Sequence, residues 1–393
     1  MALTPLITQD RIPGDLQDAV VEVMRLDAAL RMNVLPSLRL PLMEQLYKVN
    51  SYYSNKIEGN SALPADVLRP HEVLTGVKAS KDLEEIKCHI EAQKRLADDS
   101  IADSLICTKD AVARMHRELY KGISDVHLDI KVNDEGESIR MVPGQFRDRG
   151  VRVGKHIPPT AEKLLSYMNW FEIAYRVDRH HGISPILAAA AAHHRLMWIH
   201  PFMDGNGRAG RLFTDQYLKS GGLVGSDLWS MSRGFGRNAE AYYAALNAAD
   251  HVRKGDLDGR GELSDSGLLK FTRYFVETAL DQVNYFNSIL EARLLNQRID
   301  TYFQQRHQEA FYAIKSEVVP EFRIKACEIY KDLLHHGDQS FGAIQTKLGL
   351  NESTTQTLLS QMADEGLIKW GGLKLVSLSL SRHSIEFLFP ALW

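Results

Sequence analysis

The chain has 393 residues, of which 44% are hydrophobic and 25% charged, the balance of an ordinary soluble globular protein long enough for two or three domains. Its formal net charge of −3 gives no general reason to expect nucleic acid or an anionic membrane as a partner, and no apolar run approaches a membrane span. Three scattered cysteines without zinc-ligand spacing, and an N-terminus without a signal-peptide pattern, predict a reducing, cytoplasmic location.

Two amphipathic helices are predicted before residue 60. Apolar residues at helical spacing mark the first over 15–33, Pro36 and Pro41 then interrupt the chain, and a second apolar stripe marks 42–57. Gly59 fits the C′ position that closes such a helix. Glu58 lies in the last turn, where a negative charge opposes the helix dipole, so we expect another use for this carboxylate.

The next segments are predicted as scaffold. Amphipathic helices are expected over 80–97 and 108–123, the second with Thr108 as its N-cap. Turn-forming residues then dominate 126–157, including 133–136, and the alternation Val151-Arg152-Val153 indicates a short hairpin.

Two further helices precede the most informative stretch. The first starts after Pro158-Pro159-Thr160, and the second, the alanine-rich run from Ile186 to Ile199, follows Ser184-Pro185. A helix with so many alanines is expected to be buried on all sides. We expect it to hold His200, which ends it, in a fixed position.

Residues 200–211 read His-Pro-Phe-Met-Asp-Gly-Asn-Gly-Arg-Ala-Gly-Arg. His200 can accept a proton, and the carboxylate of Asp204 can hold a hard cation such as Mg²⁺. The glycines let backbone N–H groups gather around an anion, and a helix predicted from about Arg208 would present its N-terminus there. Taken alone, Asp-Gly-Asn-Gly is a common surface turn, and a His before Pro often only ends a helix. An ordinary turn, however, does not require two arginines three residues apart. The stretch therefore indicates a phosphate-handling loop.

This stretch resembles, at every defined position, the signature H-P-F-x-D/E-G-N-G-R-x-x-R of the Fic family. The resemblance covers about residues 40–290. It implies a mainly α fold, with a Fic-type helical bundle and a β-hairpin flap, in which an N-terminal helical region at 1–78 precedes a Fic core at 79–318. It also implies a protein adenylyltransferase that moves AMP from ATP to a Ser, Thr or Tyr hydroxyl of a target protein, with ATP as substrate and Mg²⁺ as cofactor. The chain itself is one candidate target.

The resemblance implies a role for each residue of the site. His200 takes the proton from the attacking hydroxyl, and Asp204 ligates Mg²⁺. The nucleotide is expected to be bound by Gly205, Asn206, Gly207, Arg208, Arg211 and Tyr243, with Tyr243 next to the adenine. Core packing is the alternative for Tyr242 and Tyr243. Family members often carry Asn at the position of Asp250, so the sequence leaves the base preference open.

Ser54, Glu58 and Gly59 match the family's inhibitory pattern S/T-x-x-x-E-G/N within a helix at about 42–59. In relatives that carry it ahead of the core, the glutamate pairs with the second arginine of the signature, here Arg211, and blocks productive placement of the γ-phosphate. Ordinary closure of a helix by Gly59 is the alternative. The runs from Pro143 to Arg147 and from Val151 to Gly154 resemble the flap, at about 140–156, which in the family holds the target by strand-like pairing.

A separate pattern follows long helices predicted over 268–286, 289–303 and 309–319. From Pro320 on, helices over 326–334, 341–348 and 352–365 and a strand pair around Gly371-Gly372 resemble a winged helix-turn-helix module at 320–393. The helix over 352–365 has no basic residue that could contact a DNA phosphate. We therefore favour a protein-interaction or dimerisation module, compatible with a homo-oligomer, over a DNA reader.

The sequence is also compatible with alternatives to AMP transfer. The same site could remove AMP from a modified protein, with Glu58 positioning the attacking water, or could transfer another nucleotide or phosphate group. A non-enzymatic alternative is a transcription regulator whose C-terminal module binds DNA while the core senses nucleotide. No membrane partner is expected.

Overall fold

The computed structural model describes residues 3–68, 77–98, 103–131, 138–154, 156–307, 320–371 and 375–393. Helices form most of these ranges, so the predicted mainly α fold is confirmed. In chain order they are α1 Gly14–Asn33, α2 Pro36–Ile57, α3 Pro64–Leu68, α4 Val77–Asp98, α5 Lys109–Leu119, α6 Ala161–Ala174, α7 Ser184–Ile199, α8 Asn206–Ser220, α9 Met231–Arg237, α10 Ala239–Asp250, α11 Asp265–Ile289, α12 Ala292–His307, α13 Pro320–His336, α14 Phe341–Leu348, α15 Glu352–Asp364 and α16 Arg382–Leu388.

The strands of the described ranges are short. They are β1 Asp129–Lys131, β2 Ser138–Arg140, β3 Gln339–Ser340, β4 Ile368–Lys369 and β5 Leu375–Leu378. β1 and β2 form an antiparallel pair in which Ile130 lies opposite Ile139. The other three form an antiparallel sheet in the order β3-β5-β4, with Ile368 opposite Leu378.

The chain divides into two compact units. The first comprises Met1–Ala28 and Tyr47–Asn284, and it contains the whole stretch 200–211. The second comprises Ala29–Leu46 and Tyr285–Trp393. Within the second unit, Leu333 of α13, Leu359 of α15 and Val376 of β5 have no exposed surface and belong to its core.

α7, in the first unit, is buried over most of its length, as its composition predicts. Pro185 stands at its start, where a missing N–H costs nothing, and Ala188–Ala192 have no exposed surface. α6, α8 and α10 all pack against it. Because α7 is enclosed on several sides, the residue at its C-terminal end is anchored by the core.

The predicted break at Pro41 is wrong. α2 begins at Pro36 and continues through Pro41 to Ile57. Pro36 takes the first helical position, where its ring is favourable, and the side chains of Leu38 and Leu42 are 3% and 0% exposed. Tertiary packing of this apolar face offsets the backbone hydrogen bond that Pro41 cannot make.

Two other predicted segments differ in extent from the observed ones. α5 starts after Thr108, whose Oγ1 accepts the N–H of Ala111 at 3.2 Å, but it ends before the predicted Ile123 because Gly122 has a φ of +92°, which no α-helix includes. In the described part of the predicted flap, Val153 and His156 form an isolated antiparallel bridge, and the β1–β2 pair ends at Arg140, where the predicted flap begins.

The C-terminal elements follow the predicted order, and α14 has the predicted bounds. The assignment as a winged helix-turn-helix stays a prediction. Three predicted pieces lie outside the described residues, namely the helix over 309–319, the turn at 133–136 and positions 372–374 of the last strand pair.

In the described part of the chain, no helix has the length and apolar character needed to cross a bilayer. All three cysteines are free thiols.

Candidate active site

One cavity of the first unit, of about 270 Å³, gathers residues that are far apart in the sequence. It is lined by Glu58 after α2, Val153 and His156 of the flap segment, Met197 and His200 at the end of α7, Gly207 and Arg211 of α8, and Tyr242, Tyr243, Leu246, Asn247 and Asp250 of α10. The predicted base, two predicted phosphate-binding residues and the predicted inhibitory glutamate therefore share one space.

His200 caps α7 in a left-handed backbone conformation, with φ 50° and ψ 65°. This region costs a non-glycine residue about 1–2 kcal/mol, so surrounding contacts must hold it. The N–H of His200 donates to the carbonyl of Leu196 at 3.0 Å. Arg147, which is buried, donates from Nε to the carbonyl of His200 at 2.8 Å. Its other guanidinium N–H groups donate to the carbonyls of Arg149, Pro159 and Ile199.

The imidazole of His200 is neutral near pH 7. Burial lowers its pKa to about 4, and the Met197 carbonyl opposes this shift only in part. Nδ1 lies 3.3 Å from that carbonyl, which can only accept, so we assign the proton to Nδ1. Nε2 then carries the lone pair, and His200 can take a proton from a bound group.

A closed pair of hydrogen bonds shapes the loop between α7 and α8. The N–H of Phe202 donates to Oδ1 of Asn206 at 2.8 Å, and Nδ2 of Asn206 donates to the carbonyl of Phe202 at 2.9 Å. Asn206 was predicted as a nucleotide-binding residue, and the structure places its buried amide against the loop backbone. Gly205 caps α8 at φ 73°, and a Cβ there would lie 2.4 Å from Oη of Tyr120.

Asp204 carries a charged and partly exposed carboxylate. Oη of Tyr120 donates to its Oδ2 at 3.2 Å, and Nη2 of Arg208 lies 3.5 Å from the same oxygen. Loss of hydration raises the pKa of Asp204, but the charge of Arg208, the N–H of Gly205 and the Tyr120 hydroxyl outweigh it and leave the pKa below the ordinary value. The side chain is 46% exposed, so the carboxylate is accessible to a cation.

The donor set fits a cation that arrives with a nucleotide. Among the residues that the structure describes, no three His, Cys, Asp or Glu side chains are arranged to hold a metal ion. Mg²⁺ is commonly bound by one or two carboxylates together with substrate phosphates and water. Asp204 can supply one carboxylate of such a set.

The two arginines of the loop have different surroundings. Arg208 is buried, with Nη1 3.1 Å from Oε1 of Glu85 and Nη2 donating to Oη of Tyr120 at 3.0 Å. Its guanidinium also lies over the Tyr120 ring, 5.4 Å from the centroid. Arg208 therefore places a paired positive charge beside Asp204 and does not line the cavity.

Arg211 lines the cavity but is already bonded to the end of α2. Its Nε donates to Oγ of Ser54 at 2.8 Å, and its Nη2 donates to the Ser54 carbonyl at 2.8 Å and to Oε1 of Glu58 at 2.6 Å. Burial opposes the charge on Arg211, but the Glu58 carboxylate outweighs it and raises the pKa of the guanidinium.

Glu58 lies in the turn that closes α2. Gly59, at φ +83°, ends this helix as its position predicts, and the side chain of Glu58 is 36% exposed. A Cβ on Gly207 would lie 2.0 Å from Oε1 of Glu58, so the glycine leaves the room that this carboxylate occupies. Glu58 thus lies between the N-terminal turn of α8 and Arg211.

Both tyrosines of the pair line the cavity, but they differ in exposure. Tyr243 is 47% exposed, lines the cavity and donates from Oη to the carbonyl of Ile57 at 2.9 Å. Tyr242 is 1% exposed, and its Oη lies 2.8 Å from Nε2 of His193. Nδ1 of His193 lies 2.6 Å from Oγ1 of Thr214, and burial lowers the pKa of this histidine to about 3. Both nitrogens of His193 are thus satisfied in the core.

Several contributors were missed by sequence analysis. His116 donates from Nε2 to the carbonyl of Asp204 at 2.9 Å and accepts the N–H of Gly144 at Nδ1 at 2.8 Å, joining two loops. Tyr120 lies one turn after it, and only its helical spacing from His116 could have suggested a shared role. Asn247 and His156 line the cavity, but no motif in the sequence distinguishes them.

Known proteins resemble this chain in sequence. Residues 106–218 match the model of the Fic/DOC family. A protein adenylyltransferase Fic from Nematostella vectensis is 28% identical over 264 residues, which cover 64% of this chain and 57% of the relative. A protein of the same name from Drosophila mojavensis is 30% identical over 182 residues, which cover 46% of this chain and 33% of the relative. The chain therefore spans about half or less of the length of these relatives.

Solved structures resemble this fold. A Fic family protein from Desulfovibrio desulfuricans G20 superposes with a TM-score of 0.54 at 17% identity and covers 96% of this chain and 98% of its own. Fic-1 from C. elegans superposes with a TM-score of 0.50 at 20% identity and covers 69% of this chain and 71% of its own. At such identities the likeness establishes the fold alone.

Proposed function

We propose that this chain, through the Fic domain that residues 106–218 form, is a protein adenylyltransferase that moves AMP from ATP to a Ser, Thr or Tyr hydroxyl of a target protein. The observation that carries the proposal is the single cavity shared by the neutral imidazole of His200, the N-terminal turn of α8 and the guanidinium of Arg211. The name of the relatives, protein adenylyltransferase, supports the same activity.

His200 is the general base of this reaction. Its Nε2 takes the proton of the target hydroxyl, and the hydroxyl oxygen forms a bond to the α-phosphorus of ATP. The bond between the α-phosphorus and the oxygen that bridges to the β-phosphate breaks, and pyrophosphate leaves. Arg147 keeps the imidazole in place by holding the backbone carbonyl of His200.

The start of α8 stabilises the charge on the transferring group. Its first N–H groups lack partners within the helix and carry the positive end of the helix dipole, so they favour phosphate oxygens. Gly207 admits a ligand close to the backbone, and Arg211 can neutralise the phosphate tail once Glu58 releases it. Asn206 supports the same geometry by closing the loop through Phe202.

Asp204 is the residue that would hold Mg²⁺. Its carboxylate is charged, accessible and oriented by Tyr120. A bound Mg²⁺ would neutralise charge on the α- and β-phosphates. The positive charge of the neighbouring Arg208 keeps the pKa of Asp204 low.

Glu58 restrains the reaction in this proposal, together with Ser54 and Gly59. Its carboxylate occupies the space beside Gly207 and accepts a hydrogen bond from Arg211, so the phosphate tail of ATP meets a negative charge and a guanidinium that is already in use. Ser54 binds the same guanidinium through its hydroxyl and carbonyl, and Gly59 closes the turn that carries Glu58.

The test uses ATP labelled at the α-phosphorus, Mg²⁺, and the purified Glu58→Gly variant, alone and with a cell lysate as the source of targets. We expect labelled protein, and AMP addition in the intact mass, at a level well above that of the wild type. Glu58→Gln is the matched control for the charge, since it keeps the length of the side chain.

His200→Ala in the Glu58→Gly background separates chemistry from binding. It is expected to abolish labelling while ATP binding remains. Full labelling in this double variant would disprove the role of His200 as the base. A parallel reaction uses ATP labelled at the γ-phosphorus. Label on the protein from this ATP, and none from ATP labelled at the α-phosphorus, would disprove AMP transfer in favour of phosphate transfer.

A second candidate is the removal of AMP from a modified protein. The observation that favours it is the partly exposed carboxylate of Glu58 in the same cavity as His200, where it could orient an attacking water. Incubation of an AMP-modified target with wild type and Glu58→Gly would separate the two, because removal needs Glu58 whereas transfer is restrained by it.

For the module at 320–393 we propose a protein-interaction or dimerisation role, which is compatible with a homo-oligomer. α15 carries Glu352 and Asp364 and no basic residue, which argues against DNA binding through this helix. A duplex-binding assay with a salt titration tests this, since a DNA reader would bind and lose affinity steeply with salt.

We also propose a reducing, cytoplasmic location, which the three free thiols support.

A further inference from the structure

We infer that His116 is a positioning residue of the proposed reaction, which holds the loop that carries Asp204 and the start of the predicted flap in one register. The inference rests on the proposed function, because it concerns how closely the acceptor hydroxyl meets the nucleotide that the cavity would bind. It starts from a buried imidazole that does not line the cavity and to which the proposed reaction gives no chemical step.

His116 lies on α5 and bonds to two separate segments through its ring. The residue is 0% exposed, and its ring stacks on that of Phe202, with 3.8 Å between the centroids and 19° between the planes. Nε2 lies 2.9 Å from the carbonyl oxygen of Asp204, which can only accept, and Nδ1 lies 2.8 Å from the backbone N–H group of Gly144, which can only donate. Both bonds therefore require the neutral imidazole with its proton on Nε2.

The bond to Asp204 fixes the loop that leads into α8. The carbonyl that His116 holds belongs to the peptide before Gly205, the cap of α8. Tyr120, one turn after His116 at the end of α5, donates to the carboxylate of Asp204 at 3.2 Å. The end of α5 therefore supports both the backbone and the side chain of the residue that would hold Mg²⁺.

The bond to Gly144 fixes the start of the predicted flap. Gly144 has a φ of +83°, and a Cβ there would lie 2.9 Å from a backbone carbonyl oxygen of α5, so the chain packs directly on this helix. Three residues later, the N–H of Arg147 donates to the carbonyl of Pro201 at 2.9 Å. The same segment continues to Val153 and His156, which line the cavity. The position of these lining residues therefore depends on how the start of the segment is held.

The two bonds of His116 have a kinetic consequence. The cavity must bring the acceptor hydroxyl in line with the α-phosphorus, and a displacement of about 1 Å can slow a reaction by about a hundred-fold. His116 itself does not line the cavity. Its loss should therefore lower the rate of transfer more than it lowers the affinity for ATP.

The first measurement removes the ring nitrogens. His116→Leu is made in the Glu58→Gly background, and AMP transfer is measured on the protein that this background labels most strongly, the chain itself or a protein of the lysate. We expect the rate at saturating ATP to fall by about ten-fold or more, while the ATP dissociation constant from calorimetry changes by less than about three-fold. An unchanged rate in folded protein, or a loss of affinity as large as the loss of rate, would overturn the inference.

His116→Gln is the matched variant for rescue. Its carboxamide keeps one donor and one acceptor, which can serve the Asp204 carbonyl and the Gly144 N–H. We expect this variant to transfer AMP about five-fold faster than His116→Leu, or more, at conditions where both are folded. Equal rates would show that His116 is a packing residue alone.

The second measurement changes the other partner and keeps His116. Gly144→Ala places a Cβ against α5 and should push the start of the predicted flap away from the imidazole, so we expect a lower rate with little change in ATP affinity. Gly122→Ala is the matched control, because Gly122 has a φ of +92° and no atom within 4 Å of a Cβ. It should lose stability and keep its rate. Equal rates in the two glycine variants would overturn the inference even if His116→Leu does not fold.

The outcomes distinguish the inference from the proposed function. Labelling by the Glu58→Gly chain at a rate that neither His116→Leu nor Gly144→Ala changes would overturn the role of His116 and leave the proposed function intact. Absence of labelling by the Glu58→Gly chain itself would disprove the proposed function and this inference with it.

Discussion

Arg147 donates from Nε to the backbone carbonyl of His200 at 2.8 Å, and the backbone N–H of Arg147 donates to the carbonyl of Pro201 at 2.9 Å. These bonds join the predicted flap to the end of α7. Because His200 has a positive φ, its backbone is strained, and these hydrogen bonds help to hold it in that conformation. The side chain that would accept the proton is thus held by an arginine more than fifty positions earlier in the chain.

We predict that Arg147→Lys lowers the rate of transfer more than it lowers nucleotide affinity. A lysine cannot reach the several carbonyls that the planar guanidinium serves, so His200 would lose its fixed orientation. Buried carbonyls left unpaired should also cost about 1–3 kcal/mol of stability. Steady-state rates, ATP binding and thermal unfolding are compared with those of Arg149→Lys, the same change at a side chain that is 46% exposed. A variant with lower stability and an unchanged rate would show that Arg147 acts only on the fold.

The hydroxyl of Tyr120 bridges Asp204 and Arg208, donating to Oδ2 at 3.2 Å and accepting from Nη2 at 3.0 Å. Tyr120→Phe removes this oxygen and keeps the ring on which Gly205 and Arg208 pack. We predict that the variant needs several-fold more Mg²⁺ for half-maximal ATP binding, because the carboxylate of Asp204 loses its orienting donor.

Tyr217→Phe is the matched control for this prediction, since Tyr217 is fully buried on α8 and its hydroxyl has no hydrogen-bond partner within the described chain. It should leave the Mg²⁺ requirement unchanged. If Tyr120→Phe and Tyr217→Phe gave the same Mg²⁺ dependence, Tyr120 would be a packing residue alone.

Gly59 controls the turn that carries Glu58. Its φ is +83° and no atom lies within 4 Å of the position that a Cβ would take, so Gly59→Ala adds backbone strain without a clash. We predict a loss of about 1–2 kcal/mol in stability, and a rise in basal AMP transfer as the strained turn loosens Glu58 from Arg211. Gly337→Ala, at φ +79° with no neighbour in reach of a Cβ, should lose stability without a rise in activity. Equal activities in the two variants would contradict a restraining role for this turn.

The residues of the candidate site were predictable where they are contiguous. The order of residues in 200–211 required a turn that leads into a helix, and the structure has Gly205 at positive φ as the cap of α8. The acidic residue in the last turn of α2 likewise signalled a partner elsewhere, and Glu58 lies against Arg211. Local patterns reveal such features because each depends on neighbouring residues alone.

Contacts between distant segments were not predictable from the same patterns. Glu85 looks like any solvated glutamate of an amphipathic helix, yet its carboxylate lies 3.1 Å from the guanidinium of Arg208. Pro41 looks like a break, but packing of the apolar face of α2 outweighs the missing hydrogen bond. Arg208 and Arg211 are the same residue type, three positions apart on α8, and only the fold decides that Arg211 lines the cavity while Arg208 does not.

Acid should destabilise the protein from about pH 6.5 downward. Burial lowers the pKa of His193 to about 3 and of His194 to about 4, whereas both should titrate near 6.5 in the unfolded chain. Between these values the unfolded chain binds more protons than the folded one, so stability is complete above pH 6.5 and falls as the pH approaches 4. Urea midpoints at pH 7.5, 6 and 5 measure this loss. His193→Gln should reduce the loss between pH 7.5 and 5, and an equal loss would contradict the assignment of a neutral buried imidazole.

The pH dependence of transfer tests His200 itself. A base with the ordinary histidine pKa of about 6.5 would lose half of its activity near that pH. Burial lowers the pKa of His200 to about 4, so the neutral form persists to lower pH, and the rate in the Glu58→Gly background should stay level from pH 8 to about 5 and fall below that. The rate is measured with subsaturating ATP on protein that circular dichroism shows to be folded at each pH. A midpoint near 6.5 with the fold intact would mean that the imidazole is hydrated in the working enzyme and that the enclosed position of His200 does not set its basicity.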